Sequence, residues 1–74
     1  MKLPTVSGRK AVKAFGKLGY VVDRQRGSHV IMVKTDPNFK LISIPNHKVV
    51  SKGTLHRILS DAGVTIEEFV KALK

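Results

Sequence analysis

The apolar positions along this chain change period twice. Ala11, Val12, Phe15 and Leu18 recur at the spacing of one helical face. Ser7 stands ahead of them as a capping hydroxyl, and Gly19 follows as a left-handed stop. Arg9, Lys10, Lys13 and Lys17 fall on the other faces of that helix and form a wet basic stripe. The period then shortens to that of strands. Residues 20–25 are bounded by Gly19 and by Arg26-Gly27. Residues 28–35 are apolar on both parities, Ile31 and Val33 on one, Val30 and Met32 on the other. That pattern predicts a central strand, covered on both faces or shielded by its neighbours. Asp36-Pro37-Asn38 carries turn chemistry, and residues 40–44 make a third strand. The short connections predict an antiparallel meander with residues 28–35 in the middle.

Helical spacing returns in the last third. Leu55, Ile58, Leu59 and Ala62 form one stripe, ended by Gly63. Thr65 opens a final helix with a capping box to Glu68, and Val64 and Phe69 stand at the staple positions. Its buried stripe is read as Ile66, Phe69, Val70 and Leu73. The order α-β-β-β-α-α predicts an α+β fold, a two-layer sandwich with a three-stranded antiparallel sheet and helices on one face. The other sheet face is left to water or to a partner. With no repeat, low-complexity tract or linker, residues 1–74 read as a single domain.

Charge narrows the function. Fourteen Lys and Arg stand against five Asp and Glu, a net of +9. Residues 1–60 hold twelve bases and only Asp23 and Asp36 as acids, whereas residues 61–74 hold three acids and two bases. Such a surface points first to phosphate-rich polymers, with a merely solubilising charge as the alternative. The absence of cysteine excludes disulfide staples and thiolate metal sites and suits the reducing cytoplasm, the expected location. No apolar run has the length of a signal peptide core or a membrane span, so no membrane partner is expected.

Metal chemistry has little to build on. Two-metal nucleases need several converging carboxylates, and of the five acids here Glu68 is committed to its cap. His29, His47 and His56 are spread over a strand, a loop and a helix without zinc-site spacing. No phosphate-loop glycine pattern is present, and neither a metal nor a small-molecule cofactor is expected. Ser28 and His29 are strand neighbours, which point to opposite faces and cannot form a nucleophile–base pair.

RNA is a substrate that supplies its own nucleophile, the 2′-hydroxyl. Its cleavage needs a proton acceptor, a proton donor and a cation beside the phosphorane. Histidine suits the first two roles and Lys or Arg the third. His29 follows Arg24 and Arg26, with Gly27 giving the backbone room, and shares a strand face with Ile31 and Val33. A strand-end histidine satisfied by a backbone carbonyl is the commoner case, and both readings stay open on these residues alone. His47 beside Lys48 is a turn residue or a second proton carrier, and His56 reads as surface. Ser51-Lys52-Gly53-Thr54 opens a helix, where free N–H groups, a hydroxyl and an ammonium suit an anion and where simple capping by Ser51 is equally good.

The segments GSHVIM, ISIPNHK, SKGTLHRIL and DAGVTIEEF, in this order and spacing, resemble the HicA toxins of HicA–HicB toxin–antitoxin systems. The resemblance runs from the first helix to about Phe69. It implies a fold like the double-stranded RNA-binding domain and metal-independent endoribonucleolytic cleavage of messenger RNA, which blocks translation and arrests growth. It implies a HicB-type antitoxin as protein partner. The family's Gly-Ser-His motif falls on Gly27, Ser28 and His29, which makes His29 the expected general base or acid. Its Pro-x-His-Lys motif falls on Pro45, His47 and Lys48, and its Lys-Gly-Thr motif on Lys52, Gly53 and Thr54. The RNA contacts expected are therefore Arg24, Arg26, Gly27, Ser28, His47, Lys48, Lys52 and Thr54. Two other readings remain at this level: a non-catalytic module that binds duplex RNA by shape, and a protein adaptor docking through its open sheet face.

Overall fold

Helices and strands follow in the order α1 (Gly8–Lys17), β1 (Val21–Arg26), β2 (His29–Lys34), β3 (Lys40–Pro45), α2 (Lys52–Ala62) and α3 (Ile66–Ala72) in a computed structural model that describes residues 2–74. This is the α-β-β-β-α-α order read from the periodicity, and the class is α+β. Local chemistry sets the helix ends. The Ser7 hydroxyl accepts from the Lys10 N–H at 3.1 Å and opens α1. Gly63, at φ +69°, closes α2 in the left-handed conformation. In α3 the capping box is complete: Glu68 N–H donates to the Thr65 hydroxyl at 3.1 Å, and Thr65 N–H donates to the Glu68 carboxylate at 3.0 Å. Hydrogen bonding to the Thr65 main chain, then to its side chain, holds the Glu68 carboxyl below its ordinary value.

The sheet is a meander in the order β1-β2-β3, both pairs antiparallel. A two-residue turn joins β1 to β2, with Gly27 at φ +59°. Glycine at positive φ in the first central position is the signature of a type II′ hairpin, so the glycine is required by the turn itself. In β1 the register slips by one residue between Val22 and Arg24. This bulge at Asp23 lets Arg24 and Arg26 stand opposite Ile31 and His29 while Val22 stays opposite Met32. Opposed residues share a face. One face therefore carries His29, Ile31 and Val33 with Arg26, Arg24 and Val21 on one side and Pro45, Ser43 and Leu41 on the other. The other face turns Val30, Met32, Ile42 and Ile44 into the core, against Ala11, Ala14 and Phe15 of α1, Leu55, Ile58 and Leu59 of α2, and Phe69 of α3.

Three features differ from the periodicity. Tyr20 precedes β1 instead of beginning it. Its N–H donates to Phe15 O at 3.0 Å and its ring is buried, edge-on to Phe15 with centroids 5.5 Å apart. Ala72, not Ile66, Val70 or Leu73, joins Phe69 as the fully covered side of α3; the other three are half-buried. Leu3 and Val6, in a segment with no helical or strand period, are buried core residues, and Val6 forms an isolated antiparallel bridge with Val50.

The Tyr20 hydroxyl is buried with no hydrogen-bond partner among the described residues, and burial pushes the phenol above its ordinary value. An unpaired buried hydroxyl costs stability, so Tyr20→Phe is expected to raise it by about 1 kcal/mol, read as a shifted denaturant midpoint. The folded chain holds the phenol proton more tightly than the unfolded chain. That contribution is complete below the ordinary tyrosine range and is lost as pH rises through the folded-state value. The variant should therefore lose less stability on the alkaline side. A lowered midpoint for Tyr20→Phe would mean that the hydroxyl is paired.

Candidate active site

The N-terminal end of β2, the C-terminal end of β3, the following loop and the first turns of α2 converge on a cavity of about 420 Å³. His29 and His47 both line it, as does Arg57. Ser43 and Pro45 contribute from β3, Val49 from the loop, and Ser51 and Thr54 from the start of α2. No carboxylate is among the lining residues. Two imidazoles and a guanidinium thus face one solvent-open space with no neutralising partner, an arrangement that favours an anion.

Each wall has a sequence cause. His29 is the first residue of β2, opposite Arg26 across the hairpin and Pro45 on the other side. The short turn fixes that register, and the strand parity turns the imidazole away from the core, leaving it exposed. Beyond Pro45 the chain is pinned by main-chain hydrogen bonds: Asn46 N–H to Ser28 O at 2.6 Å, Gly8 N–H to His47 O at 2.9 Å, and Val50 N–H to Val6 O at 2.8 Å. These bonds hold the His47 loop against the hairpin and against the start of α1. Gly8 is buried at this contact, and a Cβ there would overlap Pro45 O and lie 2.8 Å from Asn46 Cα. Only glycine lets the two backbones approach so closely.

The α2 wall follows from helix geometry. Leu55, Ile58, Leu59 and Ala62 are buried, which turns the flank bearing Ser51, Thr54 and Arg57, at steps of three, toward the cavity. The Ser51 hydroxyl accepts from Thr54 N–H at 3.2 Å and donates to the Thr54 hydroxyl at 2.8 Å. It is therefore a cap and a wall at once.

Of the expected RNA contacts, only His47 and Thr54 join His29 in lining the cavity. Arg26 stands in the same cross-strand row as His29 on the exposed sheet face, outside the cavity wall. Arg24 lies one row further and is paired with Asp23 at 2.6 Å, the one ion pair among the described residues. Gly27 is occupied with the turn, and Ser28 contributes its carbonyl to Asn46. Lys48 and Lys52 are exposed on the loop and at the first position of α2, outside the wall. His56 is exposed on another flank of α2. Ser43, Val49 and Arg57 are lining residues that motif reading missed. Ser43 was accessible through strict alternation along β3, and Arg57 through the three-residue step from Ser51 and Thr54.

The model of the family described as the HicA toxin of bacterial toxin–antitoxin systems matches residues 8–64. The chain belongs to the HicA toxin family. The match begins at the first residue of α1 and runs past the Gly63 cap, so the HicA region contains every side chain that lines the cavity. No curated protein sequence matches the chain. Among the described residues no helix is long and apolar enough to cross a membrane.

Proposed function

We propose that this HicA-family chain is an endoribonuclease that cleaves messenger RNA without a metal, by transfer of the RNA's own phosphodiester. The observation that carries the proposal is the shared cavity, with two imidazoles and the Arg57 guanidinium on one open space free of carboxylates. One imidazole accepts the proton of the 2′-hydroxyl as its oxygen attacks phosphorus. The other, protonated, gives its proton to the departing 5′-oxygen. The P–O2′ bond forms and the P–O5′ bond breaks, leaving a 2′,3′-cyclic phosphate and a 5′-hydroxyl end. His29 and His47 share these two roles. Arg57 stabilises the charge that builds on the phosphorane oxygens, while Arg26, Lys48 and Lys52 hold flanking phosphates from outside the wall.

A test that needs no variant is incubation of the purified protein with RNA in EDTA. Cleavage is expected. Tight binding of duplex RNA with no cleavage of any RNA would favour the non-catalytic binding module instead. Arg57→Ala is expected to lower kcat by about 10²-fold, the scale of one lost transition-state donor, with KM less affected. Arg57→Lys should recover part of the loss, since charge returns without the planar fork. Equal kcat for Arg57→Ala and the parent would remove the guanidinium from the mechanism.

The partner proposed is a HicB-type antitoxin that blocks RNA by covering His29. The exposed sheet face supports this reading. Beyond the His29 and Ile31 rows it carries an apolar row of Val21, Val33 and Leu41, with Val21 62% and Leu41 46% exposed. An exposed apolar row continuous with a catalytic edge suits a partner that buries both. An antitoxin complex that left His29 open to RNA would rule out steric blocking.

A further inference from the structure

A second concavity lies on the far side of the ribbon formed by residues 6–8 and 47–50. It is a groove of about 380 Å³ between α1, the N-terminal segment and the end of α3. Lys10, Lys13 and Lys17 line one side, and Lys74 stands on the other. The floor is Pro4, Thr5, Val6, Ala14, Ala72 and Leu73. No acidic residue lines the groove; the Lys17 ammonium donates to the Lys74 main-chain oxygen across it, and none of the four lysines has an ion-pair partner among the described residues. Helix α1 contains no Asp or Glu at all.

Lysines stacked at steps of three and four on one flank repel one another and weaken an isolated helix. The stripe is not required for the core, which α1 serves through Ala11, Ala14 and Phe15. The Lys10 and Lys13 ammonium groups have no acceptor among the described residues and Lys17 has only a main-chain oxygen, so no carboxylate balances the stripe and the occupant that relieves it is a polyanion. The groove and the site are separated only by that ribbon. Val6 lines the groove, its carbonyl accepts from Val50 N–H, and the adjoining His47 and Val49 line the catalytic cavity. Lys48 is carried on the same ribbon, between the two cavity-lining residues. From Lys10 to Lys17 the stripe extends roughly 10 Å along the helix axis, away from the cavity. A single-stranded RNA seated at His29 is a polyanion that must leave the cavity, and a path over the ribbon into the groove offers ammonium groups above a mainly apolar floor in which Thr5 is the one polar uncharged side chain.

We propose that the Lys10–Lys13–Lys17–Lys74 groove holds the backbone of the substrate RNA beyond the scissile phosphate, as a sequence-independent exosite. The proposal rests on the ribonuclease reading above. It makes the protein dependent on substrate length: RNA long enough to reach the groove binds more tightly than RNA that fills only the cavity.

The test uses the full chain and its Lys10→Ala/Lys13→Ala/Lys17→Ala variant, with Lys71→Ala as a charge removed outside the groove. Binding of a 2′-O-methyl oligoribonucleotide, which has no nucleophile, is measured against salt. Three lost phosphate contacts are expected to make the log–log salt slope shallower by about 2, and Lys71→Ala to leave it unchanged. Cleavage of a trinucleotide should proceed equally in all three proteins, while cleavage of a long RNA slows only in the triple variant. All three lysines are exposed, so the variant is expected to melt as the parent does. An unchanged slope, or an equal change in Lys71→Ala, overturns the exosite. So does an unchanged RNA slope together with weakened antitoxin binding, which would make the groove a protein-docking surface. Failure of the unmodified protein to cleave any RNA would instead strike the ribonuclease reading, and it is seen before any variant is made.

Discussion

His29→Ala is expected to lower RNA cleavage by about 10²- to 10⁴-fold, the range contributed by a positioned general acid or base. The same variant should keep its fold. His29 is exposed at the start of β2, on the sheet face opposite the core, and its side chain makes no hydrogen bond among the described residues. Substitutions at such positions usually change stability by no more than about 0.5 kcal/mol. The two readouts must therefore separate: single-turnover cleavage collapses while the melting midpoint stays. His47→Ala is expected to behave alike if the imidazoles divide acid and base roles. Undiminished cleavage by the folded His29→Ala protein would remove this histidine from the chemistry.

Gly8→Ala should be the most damaging small substitution away from the cavity wall. By helix propensity alone it would be favourable, because alanine is better than glycine in a helix by about 1 kcal/mol. Here the added Cβ overlaps the Pro45 carbonyl oxygen and comes within 2.8 Å of Asn46 Cα. Both are backbone atoms that cannot swing aside as a side chain does. The expected result is a loss of about 1–3 kcal/mol, the scale of an overpacked core contact. Activity should fall further than stability. The displaced segment carries His47, whose carbonyl accepts from Gly8 N–H, and misplacement of a catalytic group by 1 Å costs on the order of 10²-fold. Cleavage measured well below the variant's melting temperature separates the two effects. A Gly8→Ala protein that melts and cleaves like the parent would contradict the close backbone contact.

The parts of the fold that were legible in the sequence are those set by local chemistry. The α2 stripe of Leu55, Ile58, Leu59 and Ala62 is buried as its spacing requires, and the Thr65–Glu68 capping box forms in full. The central position of β2 could be read because Ile31 is covered on the outer face as Val30 and Met32 are on the inner one. What was not legible depends on contacts between distant segments. Val6 is bridged to Val50, and both it and Leu3 join the core with no period of their own to announce it. The bulge at Asp23 decides which β1 residues share His29's face, and a bulge leaves no signature in an alternation as irregular as that of Val21–Arg26. Tyr20 looked like a strand residue by propensity, but burial against Phe15 overrides that preference.

The candidate site divides in the same way. Motifs point to His29, His47 and Thr54, and all three line the cavity. Motifs also point to Arg24 and Arg26, yet the cation in the wall is Arg57. The three-residue step from Ser51 and Thr54 puts Arg57 on their flank of α2, and the packing of α2 against β3 turns that flank toward His29.

In the proposed mechanism RNA is cleaved through its own 2′-hydroxyl while this protein moves the protons. This mechanism is tested most directly with one RNA and its counterpart carrying a single 2′-deoxynucleotide at the cleaved position, both incubated with the protein in EDTA. The first is expected to be cleaved to a 2′,3′-cyclic phosphate and a 5′-hydroxyl end, and the second to survive at that position. Equal cleavage of both, or cleavage of neither until a divalent metal is restored, would contradict the mechanism.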